Sequence, residues 1–374
     1  MENTPVSLPS NALRINGIPE DMTAVQIIEF NKPYRIYKIP TPTYLEEYDI
    51  LLKTTVASFC HTDLMVIEGI FPTKLPCTAS HEGAGVVAAV GSKVRNFKIG
   101  DRVMSGEPKN PCGVCYNCKG PNDWHQYCEN IEGHIGVFID GAFADYHVVD
   151  SRNSCLIPEN VSSLIAAPLA CAGRTIYRSL IISELKPDEW VAIVGAGGGL
   201  GHLGIQFALA KGLQVIAIEA RDEGLEVCQK YGAKHIIDAR QGSDEIVRQV
   251  QRLTGGLGVH ASINLSDDSA EMACAVTRMH GVMIQVSQPE KVSVTFQQLI
   301  FRDIRIKGTL IAGSEYSQQM LDDVAKHDIK CESTIFYGLE QVPQMVELAQ
   351  SGKLKGKAVC VVDSVELEKE TVSG

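Results

Sequence analysis

The pattern of apolar and polar positions differs between the two halves of this chain. Between residues 22 and 60 they alternate in short runs, and similar runs follow at residues 85–90 and 101–104. Such alternation predicts short antiparallel strands with one buried face. Between residues 105 and 135 the periodicity disappears. We therefore expect an irregular lobe that needs a cross-link, such as a metal ion or a disulfide, to stabilise it.

The second half of the chain has a different hydrophobic pattern. Continuous apolar runs of strand length alternate there with helical patterns, of which the clearest covers residues 200–210. Strands and helices that alternate in this way predict a parallel, doubly wound sheet, so the fold class is α/β. We expect the strands at residues 190–194, 214–218, 235–238, 260–264, 281–286 and 304–310.

Composition and charge narrow the possible partners. The 374-residue chain carries 34 basic and 45 acidic residues, a net charge of −11 at pH 7. This balance argues against nucleic acids and anionic membranes as main partners, and no apolar run reaches the roughly 18 residues of a membrane span. Residues 1–10 and 371–374 show no targeting signal, so we expect a cytoplasmic protein with a small-molecule substrate.

Four of the 12 cysteines crowd into the irregular lobe. They are Cys112, Cys115, Cys118 and Cys128, in the pattern C-x2-C-x2-C-x9-C. In a chain without a secretory signal, this density favours metal binding over disulfides. Four thiolates can close a tetrahedral zinc site with no open position, so we expect a structural zinc ion. Disulfides and an iron–sulfur cluster are the alternatives.

A glycine-rich turn follows the first strand of the second half. Glycines let backbone N–H groups approach a pyrophosphate at the N-terminus of the next helix. Glu219 ends the second predicted strand, where an acid bonds the adenosine ribose and repels a 2′-phosphate, so the pattern favours NAD. Arg221 could accept a 2′-phosphate, which keeps NADP open. The residues expected at the cofactor are Gly195, Gly198, Gly199, Leu200, Gly201 and Glu219.

A second set of metal-ligand residue types is spread more widely along the chain. Cys60 stands in the first half, His81 and Glu82 follow it, and Cys171 lies near the expected junction of two domains. On residue type alone, each is more often a packing residue than a ligand. Together they offer thiols, an imidazole and a carboxylate, the groups that bind metal ions.

Several motifs stand in a fixed order along the chain. They are Cys60-His61-Thr62-Asp63, Ser80-His81-Glu82-Gly83-Ala84-Gly85, Lys98-Ile99-Gly100-Asp101-Arg102-Val103, Cys171-Ala172-Gly173 and the glycine-rich turn. With these motifs, the chain resembles the zinc-containing alcohol dehydrogenases of the medium-chain dehydrogenase/reductase superfamily, the yeast type most closely, over residues 22–363. The resemblance implies a GroES-like, mostly antiparallel β catalytic domain at residues 1–166 and 315–374. It also implies a Rossmann NAD-binding domain at residues 167–314 and a homotetramer.

The resemblance further implies a reaction and the residues that carry it. The reaction is a reversible hydride transfer between a primary or secondary alcohol and NAD at a second, catalytic zinc ion. The implied ligands of that ion are Cys60, His81 and Cys171, with Glu82 as an occasional ligand. The other implied site residues are Asp63 orienting His81, Thr62 accepting the alcohol proton, and His61, Thr175, Val286 and Lys357 contacting the cofactor.

Two other functions remain open at this point. One is an NADP-dependent aldehyde reductase of the cinnamyl alcohol type, against which Glu219 argues. The other is a non-catalytic NAD-binding protein on the same fold, since one fold can host many functions.

The chain departs from the yeast type at several positions. The spacing before the last lobe cysteine is longer than usual, which leaves Cys128 as the expected ligand and His125 as a distant second. Phe71 and Glu107 replace tryptophans of the substrate pocket, and Arg174 replaces an apolar residue. The two charges are interpreted either as an exposed pair without a role or as part of a pocket for a substrate larger and more polar than ethanol.

Met65 stands five residues after Cys60, where the family often has a histidine that ends its proton relay. In this chain the proton must leave by another route, either through solvent or through His61. We therefore predict that Met65→His raises turnover at low pH, as measured by the pH dependence of kcat. An unchanged pH–rate profile would show that this position takes no part in proton release.

Overall fold

The computed structural model describes residues 13–15 and 17–372, so the expectations about residues 1–10 concern positions outside the described chain. Contacts divide the chain into two compact units. The first takes in the chain up to Ala170 together with Ile335–Val346 and the residues from Val359 onward. The second consists of Cys171–Thr334 and Glu347–Ala358. Each unit is built around its own sheet.

The first unit is mostly antiparallel. Strand β5 lies in its main sheet, which has the order β10-β8-β7-β5-β18-β17, and β9 also pairs with β5. Smaller sheets have the orders β3-β2-β6 and β1-β4. The strands are β1 Leu13–Arg14, β2 Asp21–Ile27, β3 Arg35–Pro40, β4 Tyr44–Leu45, β5 Asp49–Phe59, β6 Cys77–Thr78, β7 Glu82–Val90, β8 Arg102–Met104, β9 Tyr146–Asp150, β10 Cys155–Leu156, β17 Ser333–Tyr337 and β18 Lys357–Val361.

The second unit contains a parallel sheet with the order β13-β12-β11-β14-β15-β16. This order reverses direction between β11 and β14, which is the doubly wound dinucleotide-binding arrangement. Its strands are β11 Trp190–Val194, β12 Gln214–Glu219, β13 His235–Asp238, β14 Val259–Asn264, β15 Thr277–Gln285 and β16 Arg305–Gly308. All six begin and end within four residues of the positions expected from the apolar runs, and β11 and β13 match them.

Helices cover both sheets and connect their strands. They are α1 His61–Ile67, α2 Tyr116–Lys119, α3 Ser163–Pro168, α4 Arg174–Ile182, α5 Gly201–Ala210, α6 Asp222–Lys230, α7 Ser243–Leu253, α8 Ala270–Val276, α9 Ser314–His327, α10 Val342–Gln350 and α11 Ser364–Val372. Among the described residues, no helix is both long and apolar enough to cross a lipid bilayer.

Apolar burial explains why the two sheets form where they do. In the second unit, Ala192, Ile216 and Met283 are fully buried in one cluster under the parallel strands. Strands covered on both faces read as continuous apolar runs, which is the pattern seen there. In the first unit, Ile50 and Leu52 are fully buried on one face of β5. The mostly antiparallel sheet and the parallel sheet agree with the expected fold class.

The end of the chain differs from the expected domain organisation. Residues 315–334 were expected with the antiparallel part, yet the contacts group them with the parallel sheet. The reason is local, because the Tyr177 hydroxyl on α4 donates to Asp323 on α9 over 2.8 Å. The C-terminal helix α11 belongs to the first unit, where the carboxylate of Glu370 accepts from Ser163 N (2.9 Å) and Arg102 Nε (3.1 Å). Glu370 thereby holds α11 against the N-terminus of α3.

His147 on β9 is buried in the first unit. Its Nδ1 lies 2.8 Å from the Thr54 hydroxyl and its Nε2 lies 2.7 Å from the Ser105 hydroxyl. Burial lowers the pKa of His147 to about 3, below the roughly 6.5 of an unfolded chain. The unfolded chain therefore binds a proton between these pH values that the folded chain does not bind, so stability is lost as pH falls below 6.5.

We predict that His147→Gln flattens the fall of stability between pH 6.5 and 5. Wild type should lose about 1.4 kcal/mol per pH unit from this histidine. Urea midpoints measured from pH 7.5 to 5 report the slope. His280→Gln is the matched control, because the His280 ring is exposed and pairs with the exposed carboxylate of Asp303. Equal slopes in wild type and His147→Gln would contradict the prediction.

Candidate metal centre and dinucleotide site

Four potential metal ligands converge at one point. Cys60 follows β5 and caps α1, His81 precedes β7, and Glu82 begins it. Cys171 lies in the π-helical turn Leu169–Gly173, where the chain passes from the first unit into the second. Each offers one ligand atom, and the four atoms all lie within 4.8 Å of one another. π turns inside helical segments often occur at functional sites.

The donor set fits zinc. Donors on one tetrahedral zinc ion at about 2.0–2.3 Å lie roughly 3.3–3.8 Å apart, and the four ligand atoms here all lie within 4.8 Å of one another. Two thiols and an imidazole are ligands typical of a catalytic zinc site, which keeps a further position for water or substrate. The structure thus brings Cys60, His81, Glu82 and Cys171 together as one potential metal centre.

The carboxylate of Asp63 connects the segments that carry these ligands. It accepts from the backbone N–H groups of Cys60 (2.8 Å) and Ser80 (3.2 Å). One of its oxygens lies 3.6 Å from Nδ1 of His81, and Asp63 is only 1% exposed. A carboxylate behind a histidine fixes the orientation of the ring and raises its basicity as a metal ligand.

Helix α1 places two more residues named from the sequence. The Thr62 hydroxyl lies 3.9 Å from Sγ of Cys60. His61 is exposed at the start of the helix. Neither position could be judged from spacing alone, because the helix has to begin at Cys60 for Thr62 to point toward the ligands.

The four lobe cysteines form a second potential metal centre. The ligand atoms of Cys112, Cys115, Cys118 and Cys128 also lie within 4.8 Å of one another. Backbone N–H groups point at the sulfurs, such as Cys115 N at 3.3 Å from Sγ of Cys112. N–H groups of Cys118 and Glu129 lower the pKa of Cys115 to about 6, which favours the thiolate that metal ions bind.

The lobe has little else to hold it. Val114 is 67% exposed and Tyr116 is 74% exposed, so these apolar residues build no core. At the entry to the lobe, Arg152 donates to the carbonyl of Pro111 (3.3 Å) and Asn110 N donates to Asp150 (2.8 Å). These bonds anchor the first residues of the lobe, and further along it Asn117 donates to the carbonyl of Tyr127 over 2.8 Å.

The glycines of the dinucleotide turn have different roles. Gly195 turns the chain out of β11 with a φ of +82°, a conformation that side chains other than glycine rarely adopt. A Cβ on Gly201 would lie 2.4 Å from the Gly195 oxygen, and a Cβ on Gly197 would lie 2.2 Å from the Gly224 oxygen. Gly197 and Gly201 therefore allow close backbone packing, whereas Gly198 has little around it.

Glu219 binds the turn itself. Its carboxylate accepts from Gly197 N (2.8 Å) and from Ala220 N (2.9 Å), and the residue is 5% exposed. The guanidinium of Arg221 donates to the carbonyls of Gly352 (3.3 Å) and Leu354 (3.2 Å), and its Nε lies 3.5 Å from the Glu219 carboxylate. The sequence predicted that Glu219 binds the cofactor ribose and did not indicate its contact with the turn.

The other expected cofactor residues occupy the second unit. Thr175 is buried in the first turn of α4, and Leu200 immediately precedes α5. Val286 follows β15, and its N–H donates to Asn264 over 3.0 Å, at the carboxyl end of the sheet where ligands of such folds bind. Lys357 lies against the turn, since a Cβ on Gly199 would be 2.8 Å from its Cδ.

Phe71 and Glu107 belong to one cluster in the first unit. The Phe71 ring stands edge-on to Phe138 at 6.0 Å, and the Phe138 ring lies 6.3 Å from that of His134. His134 Nδ1 is 3.1 Å from the carboxylate of Glu107, which is 4% exposed. Sequence spacing gave no sign of the contact between Phe71 and Phe138 or of the pairing of Glu107 with His134, because the members of each pair are far apart along the chain.

Arg174 lies in a different environment. It is fully buried in α4, and its Nε (3.1 Å) and Nη2 (2.6 Å) donate to the carbonyl of Ala312. Glu107 and Arg174 are therefore not an exposed pair of charges. The two hydrogen bonds of Arg174 connect α4 to the chain before α9.

Two family models match the chain. Residues 46–159 match an alcohol dehydrogenase GroES-like domain, and residues 199–326 match a zinc-binding dehydrogenase domain. The first match includes every residue of the two potential metal centres except Cys171. The second includes most of the parallel sheet.

Known proteins resemble the chain along most of its length. An alcohol dehydrogenase of a Moraxella species is 32% identical and covers 90% of this chain and 98% of its own. An alcohol dehydrogenase of Schizosaccharomyces pombe is 33% identical, covering 83% of this chain and 89% of its own. The crystal structure of the alcohol dehydrogenase of Aeropyrum pernix has a TM-score of 0.81 at 29% identity, covering 91% of this chain and 99% of that one.

The two potential metal centres predict distinct effects of removing a ligand. We expect two zinc ions per chain, one for each set of converging ligand atoms, and one ion in Cys60→Ser or in Cys118→Ser. Only Cys118→Ser should speed tryptic cleavage at the exposed Lys119, because only the lobe depends on metal for its structure. Elemental analysis and limited proteolysis measure both effects.

Cys331→Ser serves as the control for these variants, since Cys331 belongs to neither set of ligands. It should keep the zinc content and cleavage rate of wild type. Full zinc content in Cys118→Ser would show that the lobe cysteines do not share one ion.

Proposed function

Because this chain belongs to the zinc-containing alcohol dehydrogenase family, whose members are alcohol oxidoreductases, we propose that it transfers hydride between an alcohol and NAD. The product is the aldehyde or ketone, and the reaction is reversible. Two zinc ions per chain serve it, one catalytic and one structural. The substrate is a primary or secondary alcohol.

The observation that carries this proposal is the convergence of Cys60, His81 and Cys171 with Asp63 behind His81. A structural zinc site closes all four positions with protein ligands, whereas three ligands of these types leave a position for substrate. A zinc ion held there supplies a Lewis acid that lowers the pKa of a bound hydroxyl group.

The chain's own residues would do the remaining work. Asp63 holds the imidazole of His81 in one orientation through its 3.6 Å contact, while two backbone N–H groups hold Asp63. The Thr62 hydroxyl, beside Cys60, accepts the alcohol proton and passes it outward, with His61 exposed at the start of the same helix. Positioning of this kind supplies a large part of an enzyme's rate.

Two features support NAD as the cofactor in preference to NADP. The buried carboxylate of Glu219 would repel a 2′-phosphate. Arg221, the cation that could receive that phosphate, already donates to the carbonyls of Gly352 and Leu354. We propose that Gly198, Gly199 and Lys357 face the pyrophosphate. In this assignment the first unit is the catalytic domain and the second is the cofactor domain.

The cluster around Phe71 supports a substrate with both an apolar and a polar part. Phe71 and Phe138 offer ring surfaces, and the Glu107–His134 pair offers a hydrogen-bonding group beside them. Arg174 has no part in this proposal, since its Nε and Nη2 bond to Ala312. We propose a pocket for alcohols larger and more polar than ethanol.

We also propose a cytoplasmic homo-oligomer, of which a tetramer is the expected form. The support is an apolar patch next to β16, the outermost strand of the parallel sheet. In this patch Phe296, Ile300 and Phe301 are 57–70% exposed. Exposed apolar surface beside a sheet edge is typical of subunit contacts. Sedimentation equilibrium would test the assembly.

The decisive experiment combines zinc analysis with absorbance at 340 nm during incubation with NAD or NADP and a panel of alcohols. Protein with two zinc ions per chain should form NADH, and kcat/KM for NAD should exceed that for NADP at least about tenfold. Glu219→Gln removes the charge that repels a 2′-phosphate, so this ratio should fall. Glu226→Gln removes an exposed acid of the same unit and should leave it unchanged.

Each alternative function gives a different result in this experiment. A preference for NADP together with reduction of aromatic aldehydes would identify the cinnamyl-alcohol type of reductase. Zinc-loaded protein that binds NAD and converts no alcohol or aldehyde of the panel would be a non-catalytic NAD-binding protein.

A further inference from the structure

His202 directly follows the glycine-rich turn and is fully buried. It is the second residue of α5, and its ring contacts backbone at both nitrogens. Nδ1 lies 2.9 Å from the carbonyl oxygen of Gly198, in the turn itself. Nε2 lies 3.0 Å from the backbone N–H of Glu332, which is 130 residues further along the chain.

These two partners determine the protonation of the ring. A carbonyl oxygen can only accept, so Nδ1 must carry the proton. A backbone N–H can only donate, so Nε2 must be unprotonated. The neutral Nδ1–H tautomer is the only form of His202 that makes both bonds.

Glu332 leads directly to a residue beside the turn. Its carbonyl oxygen accepts from the N–H of Lys357 over 2.8 Å. The Lys357 side chain then runs so close to Gly199 that a Cβ there would be 2.8 Å from its Cδ. A series of contacts thus runs from Gly198 through the His202 ring to the backbone of Glu332 and on to Lys357. The side chain of Lys357 then returns to the turn at Gly199.

We propose that His202 is a positioning residue for the dinucleotide cofactor, whose ring fixes the glycine-rich turn relative to the segment that carries Lys357. The inference rests on the proposed use of a dinucleotide. Through its two bonds, His202 sets the distance between the N–H groups of the turn and the ammonium group of Lys357. A pyrophosphate that binds to both needs that distance to be constant, and a preset distance lowers the entropic cost of binding.

The surroundings of His202 keep its ring in the required form. Burial lowers its pKa to about 4, so the ring is neutral throughout the range in which dehydrogenases are assayed. The charged groups that face it are Glu332, Lys357 and Lys230, and the ring of Tyr231 lies 5.4 Å away. The carboxylate of Glu332 is engaged by Lys230 and by the Tyr231 hydroxyl (2.6 Å), which holds it in place.

Three variants of the zinc-loaded enzyme test the two bonds separately. His202→Asn can keep the bond to Gly198, His202→Gln can keep the bond to Glu332, and His202→Leu can keep neither. Fluorescence titration with NADH should give a Kd about tenfold higher for His202→Leu and a smaller rise for each of the other two. The KM for NAD should rise in parallel while kcat does not fall, because His202 does not touch the metal centre.

Two further variants show whether His202 acts through Lys357. Lys357→Met alone should raise the Kd for NADH, and adding His202→Leu to it should raise the Kd little more. Gln206→Leu is the matched control, because Gln206 bonds to Lys330 and to the backbone carbonyl of His202 (3.1 Å), so its loss leaves both ring bonds of His202 in place. It should lower stability and leave the Kd within about twofold of wild type.

The outcomes separate this inference from the proposed function. Wild type that binds neither NADH nor NADPH would overturn the proposed function. Wild type that binds NADH with a Kd shared by all His202 variants would overturn only the positioning role. Additive effects of His202→Leu and Lys357→Met, or an equal Kd rise in Gln206→Leu, would also overturn it.

Discussion

One buried carboxylate connects the segments on which the candidate metal centre depends. Asp63 accepts hydrogen bonds from Cys60 N and Ser80 N and lies 3.6 Å from His81. A carboxylate that is 1% exposed is costly to bury unless donors or cations surround it. The segments that carry Cys60 and His81 must therefore approach Asp63 closely, and their approach to one carboxylate places the two ligands side by side.

The glycine-rich turn is packed so closely against neighbouring backbone that some of its positions have no room for a side chain. Gly197 and Gly201 lack side chains where a Cβ would enter neighbouring backbone, so α5 can begin directly above the end of β11. The carboxylate of Glu219, on the neighbouring strand, accepts a hydrogen bond from Gly197 N. His202 binds the carbonyl side of the same turn. The turn is thus held from several directions before any cofactor binds, which favours binding because less chain has to be ordered.

Local patterns were sufficient for the elements and for the residue types at the site. The run from Trp190 to Val194 is entirely apolar because its strand is covered on both faces, so its position could be read without any knowledge of its neighbours. The four lobe cysteines could also be grouped from local sequence, because they lie within 17 residues and a short loop can bring four ligands to one tetrahedral ion. Cys60, His81 and Cys171 could be grouped only through resemblance to a family.

The sequence by itself determined the two fold types, the order of the strands along the chain and the chemical types available for metal and dinucleotide binding. These features depend on periodicity and on residues close together in the chain. The tertiary structure alone decided that Arg174 is buried against Ala312, that Glu107 pairs with His134 and that His202 reaches Glu332. Each of these contacts joins residues between 27 and 138 positions apart, and no local pattern encodes which distant backbone or side chain will pack against a given residue.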